Sequence, residues 1–254
     1  MILSDEILID IKNYQKKFAE RRNNIWIQNI ENIYSRMCLV SEKGIYEAYC
    51  HTKIVVYPGV YSPVFFTDSF WFTKHLLAII RKDTSILEIG TGTGIISIML
   101  GKNSARKIVA TDIVPAAVEN TKANVRIHKL ENIIEVREGD VYFPIRNTEK
   151  FDYIFWAHPF NNSPYPITDP LLRTGFDHNY NSLRSFIEGA RNHVNQNGKL
   201  LIGTGDSADL ETIREIANNS NYYMNLLVAE SVPLEYGKPL QIEYRIYEFV
   251  DMIK

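Results

Sequence analysis

Cysteine is scarce: the 254 residues contain only Cys38 and Cys50. Two cysteines cannot form a disulfide framework, and their spacing matches no zinc motif. They read as buried or half-buried thiols of a reducing compartment. Charge of either sign is not in excess: 28 Lys and Arg face 30 Asp and Glu, for a net charge of -2. This balance excludes a protein that coats nucleic acid through charge alone. It leaves room only for a local patch such as Arg21-Arg22. No stretch approaches ~20 uninterrupted apolar residues, so no transmembrane helix is expected. The opening MILSDEILIDIKNYQKK is broken by Asp5, Glu6 and Asp10 and does not read as a signal peptide. The reading is of a cytoplasmic protein without a membrane partner. Neither an internal repeat nor a low-complexity segment is present.

Hydrophobic residues make up 45% and charged residues 23% of the chain. That is enough apolar material to bury a core, which excludes disorder as a whole-chain state. The length fits one large α/β domain, or one domain with an added segment. Residues 1–50 carry apolar residues at helical spacing: Ile7, Ile11 and Tyr14, then Ile27, Ile30, Ile33 and Tyr34. They predict two or three helices as an N-terminal extension, candidates for covering a cleft, dimerising or recognising substrate. Ile54 to Tyr57 is β-branched and aromatic and predicts a strand. Pro58-Gly59 and Ser62-Pro63 mark turns, and Asp68 reads as a helix cap before Phe70 to Arg81.

From residue 85 strands and helices alternate: SILEIG, GIISIMLGK, KIVATDI, PAAVENTKANVRIHK, NIIEVREGD, FDYIFWAHPF, SLRSFIEGARNHV, GKLLIGTG and ADLETIREIANN. Pro115 occupies the first turn of its helix, and Asp209 or Ser207 caps the last one. Such alternation with short loops means a doubly wound parallel sheet. Two further strand-like runs around Gly237-Lys238-Pro239 have no helix between them and predict an antiparallel hairpin. The expected fold is α/β, with a mostly parallel seven-stranded sheet, a C-terminal antiparallel hairpin and an N-terminal helical extension. Residues 51–254 form the main domain in this reading.

The strongest signal is Leu87-Glu88-Ile89-Gly90-Thr91-Gly92-Thr93-Gly94, which ends the first strand of the alternating region and opens a helix. Ligands of open α/β sheets bind beyond the carboxyl ends of the strands. Glycine there permits positive φ and close backbone approach. A dinucleotide fingerprint needs glycine at position 95, where Ile95 stands, and no P-loop Gly-Lys-Ser/Thr follows. Asp112 ends the second strand, where a carboxylate can accept from ribose hydroxyls. Asp140 ends the third, where a carboxylate can accept from an adenine amino group. Together they outline one nucleoside cleft.

These residues resemble the class I S-adenosylmethionine-dependent methyltransferases over roughly residues 50 to 250. The resemblance implies that the turn of Gly90, Thr91, Gly92 and Gly94 holds the methionine part of the cofactor. It implies that Asp112 with Ile113 meets the ribose and that Asp140 and Val141 flank the adenine. Glu88 would orient the turn or reach the cofactor amine through water. The exit of the fourth strand, Ala157-His158-Pro159-Phe160, is similar to the Asn-Pro-Pro-Tyr/Phe motif of the branch that methylates planar nitrogens, which includes the release-factor glutamine methyltransferases. Ala157, which the resemblance places among the cofactor-binding residues, stands in place of Asn and His158 in place of the first Pro, while Pro159 and Phe160 match. Ala157 cannot accept a side-chain hydrogen bond from a substrate amide, whereas Phe160 can stack on a planar group.

His158 lies where the methyl acceptor should arrive and is the candidate base. The other histidines, His51, His75, His128, His178 and His193, show no metal-ligand pattern, and no metal is expected. Asn161 and Asn162 either replace the missing amide or form a turn before Pro164. The long loop from Asn161 to Tyr180 reads as a lid or binding loop, with Tyr165, Arg173, Asp177 and His178 facing substrate. Tyr57, Tyr61, Phe65, Phe66 and Trp71 are candidates for the opposite wall. The expected activity is methyl transfer to nitrogen of a small molecule or protein side chain. The alternatives are a nucleic-acid base methyltransferase, a non-catalytic cofactor-binding partner module and a dinucleotide oxidoreductase.

Overall fold

The computed structural model describes residues 24–41, 46–49, 52–103 and 105–253. The expected helices before residue 24, Arg21-Arg22, Cys50 and His51 lie outside the described residues. Helix α1 (Asn24–Ser41) is followed by a short antiparallel pair, β1 (Tyr46–Tyr49) and β2 (Thr52–Val55). Helix α2 (Asp68–Ile79) leads into β3 (Ser85–Ile89), α3 (Ile95–Lys102), β4 (Lys107–Asp112), α4 (Pro115–Ile127) and β5 (Ile134–Glu138). Then come β6 (Phe151–Ala157), β7 (Asn161–Ser163), β8 (Phe176–His178), α5 (Asn181–Gly189), β9 (Val194–Gly205), α6 (Leu210–Asn219), β10 (Tyr222–Pro233) and β11 (Gln241–Asp251).

The seven-stranded sheet has the order β10-β11-β9-β6-β3-β4-β5. Strands β5, β4, β3, β6 and β9 are parallel. The hairpin β10–β11 closes the other edge, with β11 antiparallel to β9. Parallel strands buried on both faces need continuous apolar runs, and β3 is buried at every residue. Alternate side chains divide between two cores. Ile86, Ile108, Tyr153 and Phe155 pack with Phe72 of α2, Ile98 of α3 and Val125 of α4. Leu87, Val109, Ile154 and Trp156 pack with Phe186 of α5 and Ile216 of α6.

Several boundaries differ from expectation. Asp68 is the first residue of α2 and Thr67 precedes it as cap, without a side-chain cap bond. The strand expected over Ile54 to Tyr57 is β2, which ends at Val55. The helix expected to run to Val194 ends at Gly189, and a 3-10 turn (Ala190–Asn192) leads to β9. Asp209 is the cap of α6, its carboxylate accepting from Thr212 N at 3.1 Å. The loop after β6 contains a two-stranded parallel sheet, β7 with β8. Among the described residues, no helix is long and apolar enough to cross a membrane.

Candidate active site

The chain runs outward from β3 to β4 and β5, then crosses back to β6 on the other side of β3. At such a reversal the loops leaving neighbouring strands diverge and leave a crevice. A cleft of about 490 Å³ opens there, beyond the carboxyl ends of β3, β4 and β6.

The turn after β3 has three glycines in the left-handed region: Gly90 (φ +66), Gly92 (φ +57) and Gly94 (φ +78). A Cβ on Gly90 would lie 2.7 Å from Trp156 Nε1, and one on Gly94 would lie 2.6 Å from Thr121 Cγ2. Gly92 has open space at that position and lines the cleft. Steric fit requires glycine at the first and third positions, and the second leaves bare backbone toward a ligand.

Side chains from β3 itself, from β4 and from α4 hold the turn. Asp112 is buried at the end of β4, accepting from Gly92 N through Oδ2 at 2.9 Å and from Val114 N through Oδ1 at 2.9 Å. Burial pushes its carboxyl up, while those amides oppose the shift. Each oxygen retains a lone pair for a hydroxyl donor. Glu88 is buried beneath the turn, accepting from Ser97 Oγ and, at 3.1 Å, from Thr91 Oγ1. Burial pushes the Glu88 carboxyl up to about 7, against those hydrogen bonds. Thr121 Oγ1 donates to Gly92 O at 2.9 Å, and Asn124 Nδ2 donates to Thr93 O at 2.9 Å.

Asn120 and Asn124, fully buried on one face of α4, also clamp the segment before the turn. Asn124 Oδ1 accepts from Val55 N at 2.7 Å, and Asn120 Oδ1 accepts from Tyr57 N at 2.7 Å. These links position Gly59, Val60 and Tyr61 along the cleft. The sequence reading did not single out either asparagine. Two amides at i and i+4, with a threonine between them, on the inward face of a helix were the available signal.

The loop after β5 supplies the far edge. Asp140 is exposed and Val141 buried; both line the cleft with Ile113. Val141 has φ +43, a strained conformation for a β-branched residue. After β6, Ala157, His158, Pro159 and Phe160 also line the cleft. His158 is 1% exposed, with Nε2 3.1 Å from Thr204 Oγ1 and Nδ1 without a hydrogen-bond partner among the described residues. Its ring packs against Trp156, Phe160 and Tyr180. Burial pushes the imidazole down to about 3, so it is neutral near pH 7.

Thus Glu88, Gly90, Thr91, Gly92, Asp112, Ile113, Asp140, Val141, Ala157, His158, Pro159 and Phe160 meet at one cleft, while Gly94 stands behind the turn at the start of α3. From the long loop, Arg173, Asp177 and His178 reach the cleft and Tyr165 does not. Asp177 has a structural task, accepting from Ser182 N at 3.2 Å and Leu183 N at 2.9 Å. Asn161 Nδ2 donates to Gly175 O at 2.8 Å, which fixes the loop. Tyr61 and Phe66 belong to the cleft wall, whereas Phe65 and Trp71 are core residues and Tyr57 stands outside the lining. No cluster of three metal-ligating side chains occurs among the described residues.

The family model of the methyltransferase small domain matches residues 51–222. The chain is 32% identical over 169 residues to a Methanocaldococcus jannaschii protein provisionally named a protein N5-glutamine methyltransferase, covering 65% of this chain and 82% of the relative. It is 36% identical over 95 residues to the release factor glutamine methyltransferase of Aquifex aeolicus, covering 36% of this chain and 32% of the relative. The solved M. jannaschii tRNA m1G37 methyltransferase is similar with a TM-score of 0.54 and 19% identity, over 81% of this chain and 56% of that one. That last likeness is one of fold alone. With a family match across the glycine turn, the acid after β4 and the β6 exit, the chain belongs to the methyltransferase small-domain family, as a class I S-adenosylmethionine-dependent methyltransferase related to the N5-glutamine methyltransferase branch.

Proposed function

We propose that the protein methylates a nitrogen of a small molecule or a protein side chain, within a catalytic domain spanning residues 51–254. The observation that carries this reading is the single cleft joining the glycine turn, Asp112 and the Ala157–Phe160 exit. The residues present fit the cofactor. Bare backbone at Gly92, free lone pairs on an amide-held Asp112 and an exposed acid at Asp140 are what a nucleoside with a methionine tail needs. Gly90, Thr91 and Gly92 would hold the methionine part, with Glu88 and Gly94 shaping the turn. Asp112 and Ile113 would hold the ribose, and Asp140 and Val141 the adenine. The strained backbone at Val141 supports a functional placement of that side chain.

When bound, S-adenosylmethionine supplies an electrophilic methyl group on a sulfonium. The chain's own task is to align the acceptor and exclude water. Pro159 and Phe160 would form the acceptor wall, and Phe160 offers a flat face to a planar or cationic group. Neutral His158, tethered through Nε2 to Thr204, would use Nδ1 to orient the acceptor. A nitrogen whose proton affinity is so reduced is a poor general base near pH 7. The release factor and N5-glutamine relatives act on protein glutamine by their names. Here the amide-accepting Asn is replaced by Ala157, which supports a nitrogen other than an amide. Sparse cysteine supports a cytoplasmic location.

The test is methyl transfer from labelled S-adenosylmethionine to a panel of amines, amides, peptides and RNA. Product formation on an amine or peptide, lost in Asp112→Ala, is the expected result. Transfer to RNA alone would overturn the acceptor assignment.

A further inference from the structure

Charge is unevenly distributed around the cleft. Five carboxyl groups line it, those of Asp68, Glu88, Asp112, Asp140 and Asp177, against one guanidinium, that of Arg173, among the described residues. Arg173 is half-buried on the long loop between β7 and β8, in a 3-10 turn (Leu172–Thr174). Asp169 Oδ1 accepts from Leu171 N at 2.9 Å and from Leu172 N at 3.0 Å, and Asp169 O accepts from Arg173 N at 3.1 Å. Thr174 Oγ1 donates to Leu171 O at 2.6 Å, and both leucines are buried. Gly175 O accepts from Asn161 Nδ2 at 2.8 Å, and a Cβ on Gly175 would collide with Tyr34 Oη. The backbone that carries Arg173 is therefore fixed to the segment leaving the β6 exit and packed against α1.

The guanidinium itself has no fixed counter-charge. Asp169 and Asp177, the acids flanking it in sequence, accept from backbone amides instead. Among the described residues Arg173 forms no ion pair and no side-chain hydrogen bond. Burial pushes the Asp112 carboxyl up, and the charge of Arg173 is one of the influences opposing that shift, so its field reaches the glycine-turn side of the cleft. A half-buried cation costs free energy unless an opposite charge meets it. A guanidinium meets a carboxylate through two parallel N–H bonds. The five acids around the cleft repel a doubly charged phosphate more than a singly charged carboxylate.

We propose that Arg173 is a carboxylate clamp, the place in this cleft where the carboxylate of a bound ligand docks. This rests on the methyltransferase reading above and names a ligand group of the same site. Two ligands bring that group. One is the cofactor, through its methionine tail; the other is an acceptor that carries an acid beside its nitrogen. In the second case the acceptor class narrows to acid-bearing nitrogen compounds, and Arg173 sets that specificity.

The test compares the full native chain with Arg173→Gln, using two pairs of probes. Calorimetry reads S-adenosylhomocysteine against 5′-methylthioadenosine, which keeps the nucleoside and sulfur but lacks the amino-acid tail. Saturation-transfer NMR reads butyrate against butyramide, with and without S-adenosylhomocysteine. In at least one pair the variant should bind the carboxylate-bearing probe at least about tenfold more weakly. Its affinity for the probe without a carboxylate should stay within about twofold, which also reports an intact fold. Loss confined to S-adenosylhomocysteine assigns the clamp to the cofactor; loss confined to butyrate assigns it to the acceptor. Unchanged binding of both carboxylates, or 5′-methylthioadenosine and butyramide weakened as much as their partners, overturns the proposal. Failure of the native protein to bind S-adenosylhomocysteine and 5′-methylthioadenosine strikes the methyltransferase reading instead, because the butyrate pair is also measured without them.

Discussion

The amide of Gly92 donates to Asp112 Oδ2 at 2.9 Å, so the carboxylate that ends β4 holds the turn that leaves β3. One side chain thereby shapes both the glycine turn and the hydroxyl-binding edge of the cleft. Asp112→Ala removes a buried, charge-assisted acceptor, an interaction worth about 1.5–3 kcal/mol. Calorimetry should show S-adenosylhomocysteine binding weakened at least about tenfold. Binding unchanged within error would remove Asp112 from the site.

The first two glycines of the turn should separate stability from binding. Gly90→Ala meets both positive φ and the Trp156 ring, at 2.7 Å. It should lose about 2–4 kcal/mol in urea unfolding. Gly92→Ala meets positive φ but no neighbour within 4 Å. Its stability loss should be about 1–2 kcal/mol, while its added methyl faces the cleft and should weaken cofactor binding at least about tenfold. Equal effects of the two substitutions on both measurements would contradict this division.

Asn124 joins β2, α4 and the glycine turn through Val55 N, Val55 O and Thr93 O. Asn124→Ala leaves these backbone groups without that partner and should cost about 3 kcal/mol. Hydrogen exchange should show the Val55 amide opening in the variant, and protection equal to the native protein would argue against the clamp.

Glu88 gives a pH dependence with a defined sign. Its folded pKa of about 7 exceeds the unfolded value of roughly 4.3. Between those values the native state holds the extra proton, so stability falls as pH rises and the loss is complete above about 7. Glu88→Gln removes this contribution. Urea unfolding at pH 5 and pH 8 should show the native protein losing more stability than the variant, by roughly 3 kcal/mol at most. Parallel pH profiles would show that Glu88 does not carry the proton.

His158 is predicted to stay neutral. Its ring resonances should not titrate between pH 5 and pH 8, since burial pushes the imidazole down to about 3. A titration near pH 6.5 would return it to the role of general base.

The alternation of apolar strands with helices made the parallel sheet legible before the structure, because strands covered on both faces must be apolar throughout. Gly90 and Gly94 were legible for a steric reason, since only glycine fits against Trp156 and Thr121, and Asp112 was legible from its place at the end of β4. The pairing of β11 with β9 and the short β7–β8 sheet were not, because partners far apart in sequence leave no local pattern. His158 showed its place on the chain but not its burial, which depends on rings from β6, Tyr180 and Phe160 converging. Asp68 read as a helix cap. Its place in one cleft wall with Tyr34 of α1 and Tyr244 of β11 is a tertiary fact.

The most direct measurement is a calorimetric titration of the folded protein and of Asp112→Ala with S-adenosylhomocysteine. Saturable binding to one site in the native protein, lost or weakened at least about tenfold in the variant, is the predicted result. A folded native protein that binds no S-adenosylhomocysteine, or a variant that binds it equally well, would contradict the placement of the cofactor in this cleft.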